Sequence, residues 1–84
     1  MDKDILNRVI SRIKRVKNTP ALDVIENYNE PLTGNVFRMS AIEMTYILLE
    51  LIDEFQIKFD AIDVNDYGFN TVNKIVNIIK NKLT

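Results

Sequence analysis

Few side chains in this 84-residue chain could do chemistry. Cysteine and histidine are both absent, which excludes thiolate chemistry and removes the commonest general base and metal ligand. Asp60, Asp63 and Asp66 match cation ligands in number, but they lack the glycine and terminal glutamate of a calcium-binding loop. No base, nucleophile and orienting group can be assembled from the remaining residues. We therefore expect that the chain is not an enzyme and binds no metal.

Ser40 is the hydroxyl-bearing residue whose neighbours in the sequence say most about its role. Ser40 and Glu43 form the S-x-x-E pattern of a capping box, in which the serine oxygen accepts from a backbone amide of the first helical turn and the glutamate reaches back. The pattern predicts a helix from about Ala41 to about Phe55. Helix N-termini favour serine whether or not it is modified, so capping alone can explain Ser40.

Two contrasting faces are predicted for this central helix. At about 100° per residue, one sector gathers the apolar residues that would face a core, and the opposite sector places two large apolar residues among acids. The core sector holds Met44, Ile47, Leu48, Leu51 and Phe55, with Ile52 at its edge, and the opposite sector holds Glu43, Tyr46, Leu49, Glu50 and Asp53.

The opposite sector has three possible explanations. A partner could bury Tyr46 and Leu49 while its cations meet the acids, which would make this face a docking site. The two residues could instead be scattered exposed apolar side chains, which are common on protein surfaces. They could also cover a homodimer contact.

Charge is segregated along the chain although its formal net value is only −1. Residues 1–20 carry six basic and two acidic groups, residues 21–66 carry ten acidic and two basic groups, and residues 67–84 carry three lysines. Attraction between these segments is one explanation, and an acidic surface that steers a basic protein partner is the other. The acidic sign disfavours nucleic acid as a partner.

No membrane or export signal is evident in the sequence. No stretch approaches the roughly 18 continuous apolar residues that cross a bilayer, and the N-terminus lacks the apolar core of a signal peptide. We therefore expect a cytoplasmic protein with no membrane partner.

A first helix, capped by Asp2 or Asp4, is predicted to run to about Lys17. Its apolar residues have the spacing of a buried stripe, and its basic residues are expected on a solvated face. The stripe holds Ile5, Leu6, Val9, Ile10, Ile13 and Val16, and the basic face holds Arg8, Arg12, Lys14 and Arg15.

A long loop is predicted from Asn18 to Met39, where prolines, a glycine and asparagines interrupt the periodicity. So long a connection is unusual in a small domain, and Ala21 to Asn27 is the best candidate for a local helix within it. Five apolar residues are expected to anchor the loop to the core, namely Leu22, Ile25, Tyr28, Leu32 and Phe37.

The last third of the chain predicts two further elements. Asp60 to Asn65 could form a short helix or a turn, and a final helix begins near Val72, with Asn70 or Thr71 as its cap. Its buried stripe comprises Val72, Ile75, Val76, Ile79 and Leu83. The chain is thus predicted to be a single all-α domain over residues 1–84, with three long helices, one short helix and a long first loop.

This order of elements, with a second helix that is acidic and begins at a serine, resembles acyl carrier proteins and peptidyl carrier domains over nearly the whole chain. The segment LTGNVFRMSAIEMTYILLELIDEFQIKF, Leu32 to Phe59, is most similar to acyl-carrier-related proteins of bacterial systems that mature bacteriocin-type peptides. The resemblance implies a four-helix carrier bundle. Carriers of this family attach 4′-phosphopantetheine to the serine of an Asp-Ser-Leu motif at the start of the second helix.

The motif serine is in doubt in this chain. Aligning Leu51, Glu54 and Phe55 with the Leu-x-x-Glu-Phe ending of the carrier helix sets the motif against Ser40-Ala41-Ile42. Ala41 then occupies the position of the serine, and an alanine has no hydroxyl to be modified. A one-residue shift would instead make Ser40 the attachment site, with a methionine in place of the motif acid.

The docking residues of the carrier family are also only partly kept. Glu43 and Asp53 match acids of the carrier helix, whereas Tyr46 replaces an expected glutamate, which suggests a dedicated partner. The first hypothesis is therefore a carrier-like module without cofactor that docks through its second helix onto a peptide-maturation or other biosynthetic enzyme with a basic surface.

Two alternatives remain open. The chain could be an authentic acyl or aminoacyl carrier with 4′-phosphopantetheine on Ser40, and a phosphopantetheinyl transferase would then also be a partner. It could instead be a small helical regulatory protein that shares only its shape with carriers.

Overall fold

The computed structural model describes residues 2–60 and 69–83, and all the regular structure in these ranges is helical. In chain order it comprises α1 (Asp2–Val16), two 3-10 helices (Pro20–Asp23 and Ile25–Asn29), α2 (Ala41–Phe55) and α3 (Val72–Leu83). The all-α prediction is confirmed for the described residues, which form a small helical bundle. The short helix predicted between Asp60 and Asn65 lies almost entirely outside them, and the four-helix carrier fold stays a prediction.

Helix α1 buries its predicted stripe. Ile5, Val9 and Ile13 belong to the core, and the other three stripe residues are partly buried against it. The helix begins at Asp2, so the suggestion that Asp4 caps it is wrong: Asp4 lies in the first turn and pairs with Arg8 at 3.7 Å.

The long loop folds into two short 3-10 helices instead of the single helix predicted from Ala21 to Asn27. Val24 has an extended backbone and separates them. The amide of the Asn27 side chain donates to the Ala21 carbonyl at 3.1 Å, and the Tyr28 hydroxyl donates to the Leu22 carbonyl at 3.0 Å. These bonds satisfy polar groups of a segment that lies on the core.

Four of the five predicted loop anchors are buried, and one is not. Leu22, Tyr28, Leu32 and Phe37 lie in the core, whereas Ile25 is 74% exposed, so its prediction was wrong. The extended residue before Ile25 breaks the helical spacing that would have placed it beside Leu22 and Tyr28.

Helix α2 has the bounds that the capping box predicted. It buries Ile47, Leu51 and Phe55, and Met44 and Leu48 pack at the edge of the core. The helix ends at Phe55 and is capped by Gln56, whose backbone is left-handed with φ 55° and ψ 47° and whose amide donates to the Ile52 carbonyl. This conformation closes the last turn and turns the chain away from the helix axis.

Helix α3 completes the core. Thr71 is its cap, because the Thr71 hydroxyl accepts from the Lys74 amide at 3.1 Å. The predicted stripe is buried except for Leu83, which is exposed. The loop meets the start of this helix where the Leu32 amide donates to the Asn70 carbonyl at 2.7 Å.

One hydrophobic core joins the three α-helices and the loop. It contains Ile5, Val9, Ile13, Leu22, Tyr28, Leu32, Phe37, Met39, Ile47, Leu51, Phe55, Phe69, Val72, Ile75, Val76 and Ile79. Within residues 2–60 and 69–83, none of the helices has the length and apolar character that crossing a bilayer requires.

Candidate functional site

The start of α2 holds the residue that sequence reasoning linked to a prosthetic group. The Ser40 hydroxyl accepts from the Glu43 amide at 3.2 Å, and the Ser40 amide donates to Oε1 of Glu43 at 2.8 Å. Both halves of the predicted capping box are therefore formed. The hydrogen bond from the Ser40 amide lowers the pKa of Glu43, which keeps the carboxylate ionised in this reciprocal arrangement.

Both candidate positions for the carrier serine are exposed. Ser40 is the cap and Ala41 is the first residue of α2. Ser40 has a hydroxyl that serves the helix as an acceptor, whereas Ala41 presents only a methyl group. The arrangement gives Ser40 a complete structural role without modification.

The outer face of α2 carries an exposed apolar stripe. Ile42, Tyr46 and Leu49 are 61%, 52% and 55% exposed, respectively. Their spacing of four and then three residues places them on one side of the helix, opposite the core-facing stripe. Sequence reasoning identified Tyr46 and Leu49 but missed Ile42, although the position four residues before Tyr46 was a sufficient signal.

A groove of about 500 Å³ runs between α1 and α2 and brings the predicted docking residues together. Its α2 side contains all five of them, and its α1 side adds residues that the sequence analysis did not assign to a site. The lining consists of Glu43, Tyr46, Leu49, Glu50 and Asp53 from α2, with Arg12, Arg15 and Val16 from α1.

Arg12, which lines this groove, binds three carboxylates of α2. Its guanidinium donates to Glu50 at 2.8 Å, to Glu54 at 2.8 Å and to Asp53 at 3.0 Å. Hydrogen bonds to Glu50 and Glu54 are the main reason that the pKa of Arg12 lies above its usual value. Arg15 adds a further ion pair to Glu50 at 3.3 Å.

Arg8 extends the network along α1. It donates to the Glu54 carboxylate at 2.7 Å and to the Glu54 carbonyl at 3.2 Å, and its guanidinium lies 4.4 Å from the centre of the Phe55 ring. Hydrogen bonds from Arg8, and then from Arg12, lower the pKa of Glu54. We call these residues of α1 and α2 the clamp; they are Arg8, Arg12, Arg15, Glu50, Asp53 and Glu54.

The clamp corrects the expectation that the basic side of α1 is simply solvated. Arg8 and Arg12 hold the acids of α2, and Lys14 pairs with Asp23 in the loop at 2.6 Å. The internal attraction between oppositely charged segments is therefore present in the fold. Glu50 and Asp53 are engaged within the chain, and the groove has a mixed charge instead of a purely acidic one.

The suggested cation ligands are only partly described. Asp63 and Asp66 lie outside the described residues, and Asp60 pairs with Lys82 at 3.9 Å. Across the residues that the structure describes, no group of three or more acids, histidines or cysteines is arranged to hold a metal ion.

Comparisons with known proteins add no relative to this picture. No protein-family model matches the chain, and no curated protein or solved structure gives a significant match. The residues themselves therefore carry the functional argument.

Proposed function

We propose that the chain is a carrier-like, non-catalytic docking module that binds a peptide-maturation or other biosynthetic enzyme through the outer face of α2. The observation that carries the proposal is the exposed stripe of Ile42, Tyr46 and Leu49. Three large apolar side chains on one helix face offer a partner the central apolar contact on which specific interfaces depend.

Charge at the edges of the stripe supports a partner with a basic rim. Glu43 lies at one end of the groove, and the Asp53 side chain at the other end remains 70% exposed although it pairs with Arg12. Both can still meet cations of a partner. Such contacts at an interface rim contribute more to the rate and orientation of binding than to its affinity.

The module acts without a prosthetic arm in this proposal. Ala41, which aligns with the motif serine of carriers, has no nucleophilic oxygen. Ser40 has one, but its role in the capping box accounts for its presence. Docking without a cargo suits an adaptor that recruits or activates an enzyme.

The ion pairs of the clamp limit which substitutions can test docking. Reversing the charges of Glu43, Glu50 and Asp53 together would break ion pairs between α1 and α2, so lost binding could reflect lost structure. The apolar stripe avoids this difficulty because its side chains are exposed. A photo-crosslinking amino acid at Tyr46, in cells that naturally make the chain, tests the face directly.

We expect the photo-crosslinker at position 46 to form a covalent product with a biosynthetic or peptide-modifying enzyme. Adding Leu49→Ser to the same chain should remove that crosslinked product. The matched control places the same photo-crosslinker at Ile25, which is also exposed, at 74% against 52% for Tyr46, but belongs to the loop. Identical products from both positions would refute docking through α2. A toxin or a repressor as the sole product would favour the regulatory alternative.

A further inference from the structure

We infer that a second copy of this chain covers the outer face of α2, in an antiparallel contact between the two α2 helices. The inference does not depend on the proposed function. It starts from the positions of the exposed apolar residues and the exposed charges at the two ends of α2, which together make the face complementary to itself.

The apolar stripe has the symmetry that such a contact needs. In an antiparallel pair related by a twofold axis, each residue of one helix faces the residue equally far from the axis on the other. An axis between Thr45 and Tyr46 places Ile42 of one copy opposite Leu49 of the other, and the two Tyr46 side chains meet beside the axis. Ile42 and Leu49 then face each other, and each Tyr46, which lies opposite Thr45, is adjacent to the Tyr46 of the other copy.

Charges at the ends of the stripe fit the same register. Asp53, one helical turn beyond Leu49, lies on the same face, and the register places it past the N-terminal end of α2 in the second copy, where Arg38 precedes the helix. Arg38 is exposed just before the cap of α2, and its guanidinium has no ion-pair partner among the residues that the structure describes. Each of the two ends of the contact therefore brings an acid to a cation.

A second pair of charges follows on the side of the helix that faces α1. Arg15 of α1 lies beside Glu50 at 3.3 Å and is 64% exposed. The register sets Glu50 opposite the first turn of α2 in the second copy, which holds Glu43. A twofold axis repeats this contact, so two Arg15 guanidinium groups meet two Glu43 carboxylates. In a parallel twofold pair, each charged residue would instead face the same residue of the other copy, so like charges would meet.

The absence of cysteine from the chain allows this register to be tested by disulfide trapping. Ile42→Cys and Leu49→Cys are prepared separately, mixed in equal amounts and oxidised mildly. In the antiparallel register residues 42 and 49 of different copies face each other, whereas equal positions are offset by about 10 Å along the axis, beyond disulfide reach. We therefore expect the mixed disulfide to form and each variant alone to remain largely uncrosslinked.

Sedimentation of the unmodified chain supplies the second measurement. We expect a concentration-dependent dimer whose dissociation constant rises at least about tenfold in Leu49→Glu, since a charge would be buried against Ile42. Arg38→Glu should also weaken it, and Ile25→Glu is the matched surface control. A monomer at every concentration, preferential disulfides between equal positions, or equal weakening by the control would each overturn the inference.

Both measurements use the purified chain alone, so their failure is distinguishable from failure of the proposed function. If the dimer exists, a docking enzyme must displace the second copy from the same stripe. Self-association would then set how much of the chain is available to its partner.

Discussion

Replacing Ser40 separates a structural serine from a modified one. Ser40→Ala removes the oxygen that accepts from the Glu43 amide at 3.2 Å and leaves that amide without its side-chain partner. Loss of a serine cap costs about 1 kcal/mol of unfolding free energy. In a domain of this size, that loss lowers the melting temperature by roughly 4–8 °C.

Urea unfolding followed by circular dichroism measures the effect as a shift in midpoint at constant slope. Ser40→Asp should stay close to the unmodified protein, because aspartate caps helices as well as serine does but is not a substrate for a phosphopantetheinyl transferase. Ser11→Ala is the matched control, since Ser11 is exposed within α1 and has no capping role.

A structural role for Ser40 is refuted if Ser40→Ala is as stable as the unmodified protein, or if Ser40→Asp is destabilised as much as Ser40→Ala. Either result would show that the capping box does not account for Ser40. The same variants also test function. A module without a prosthetic arm should keep its partner binding in Ser40→Ala, Ser40→Asp and Ser11→Ala.

Three further predictions concern the core, the end of α2 and the clamp. Leu51→Ala, at a fully buried position, should lower the unfolding free energy by about 2–5 kcal/mol in urea titrations, whereas Leu49→Ala should change it little. Gln56→Gly should raise the free energy of unfolding, measured by thermal unfolding, because glycine adopts the left-handed backbone freely. The gain should stay below about 1 kcal/mol, since the variant loses the side-chain hydrogen bond to the Asp53 carbonyl. The pKa of Glu54 is lowered in the fold, so its contribution is present at neutral pH and is lost on acidification. Urea midpoints of Glu54→Gln should therefore be lower at pH 7 and fall less than those of the unmodified protein between about pH 5 and pH 3.

Helix positions were predictable where a local signal fixed them. The capping box at Ser40 set the first residue of α2, and one of the two predicted caps, Thr71, caps α3. The buried stripes of the three helices, apart from the exposed Leu83, followed from the 3.6-residue period. These signals lie within a few residues of the structures that they determine, so no knowledge of the tertiary fold was needed.

The loop could not be predicted in the same way. Its two 3-10 helices are held by single bonds such as that from the Tyr28 hydroxyl to the Leu22 carbonyl, and the second of them also contacts α3. Met39 is buried beside the start of α2, yet no pattern in the neighbouring sequence predicted its burial. Such features depend on how the loop meets the core.

The clamp is the part of the site that sequence reasoning described least well. The segregation of charge indicated attraction between segments, but it did not show that Arg12 would bind three carboxylates of α2. That contact requires the relative rotation of α1 and α2, which periodicity leaves undetermined. The five residues predicted to dock a partner line one groove, whereas the α1 residues on its other side were not predicted.

The central claim is that this docking module carries no prosthetic arm, and the intact mass of the chain isolated from the cells that naturally make it tests this claim most directly. Those cells supply any dedicated transferase, and a known carrier from the same extract serves as the positive control. We expect the mass of the unmodified polypeptide. An added phosphopantetheine that maps to Ser40, and is lost in Ser40→Ala, would contradict it and establish a working carrier instead.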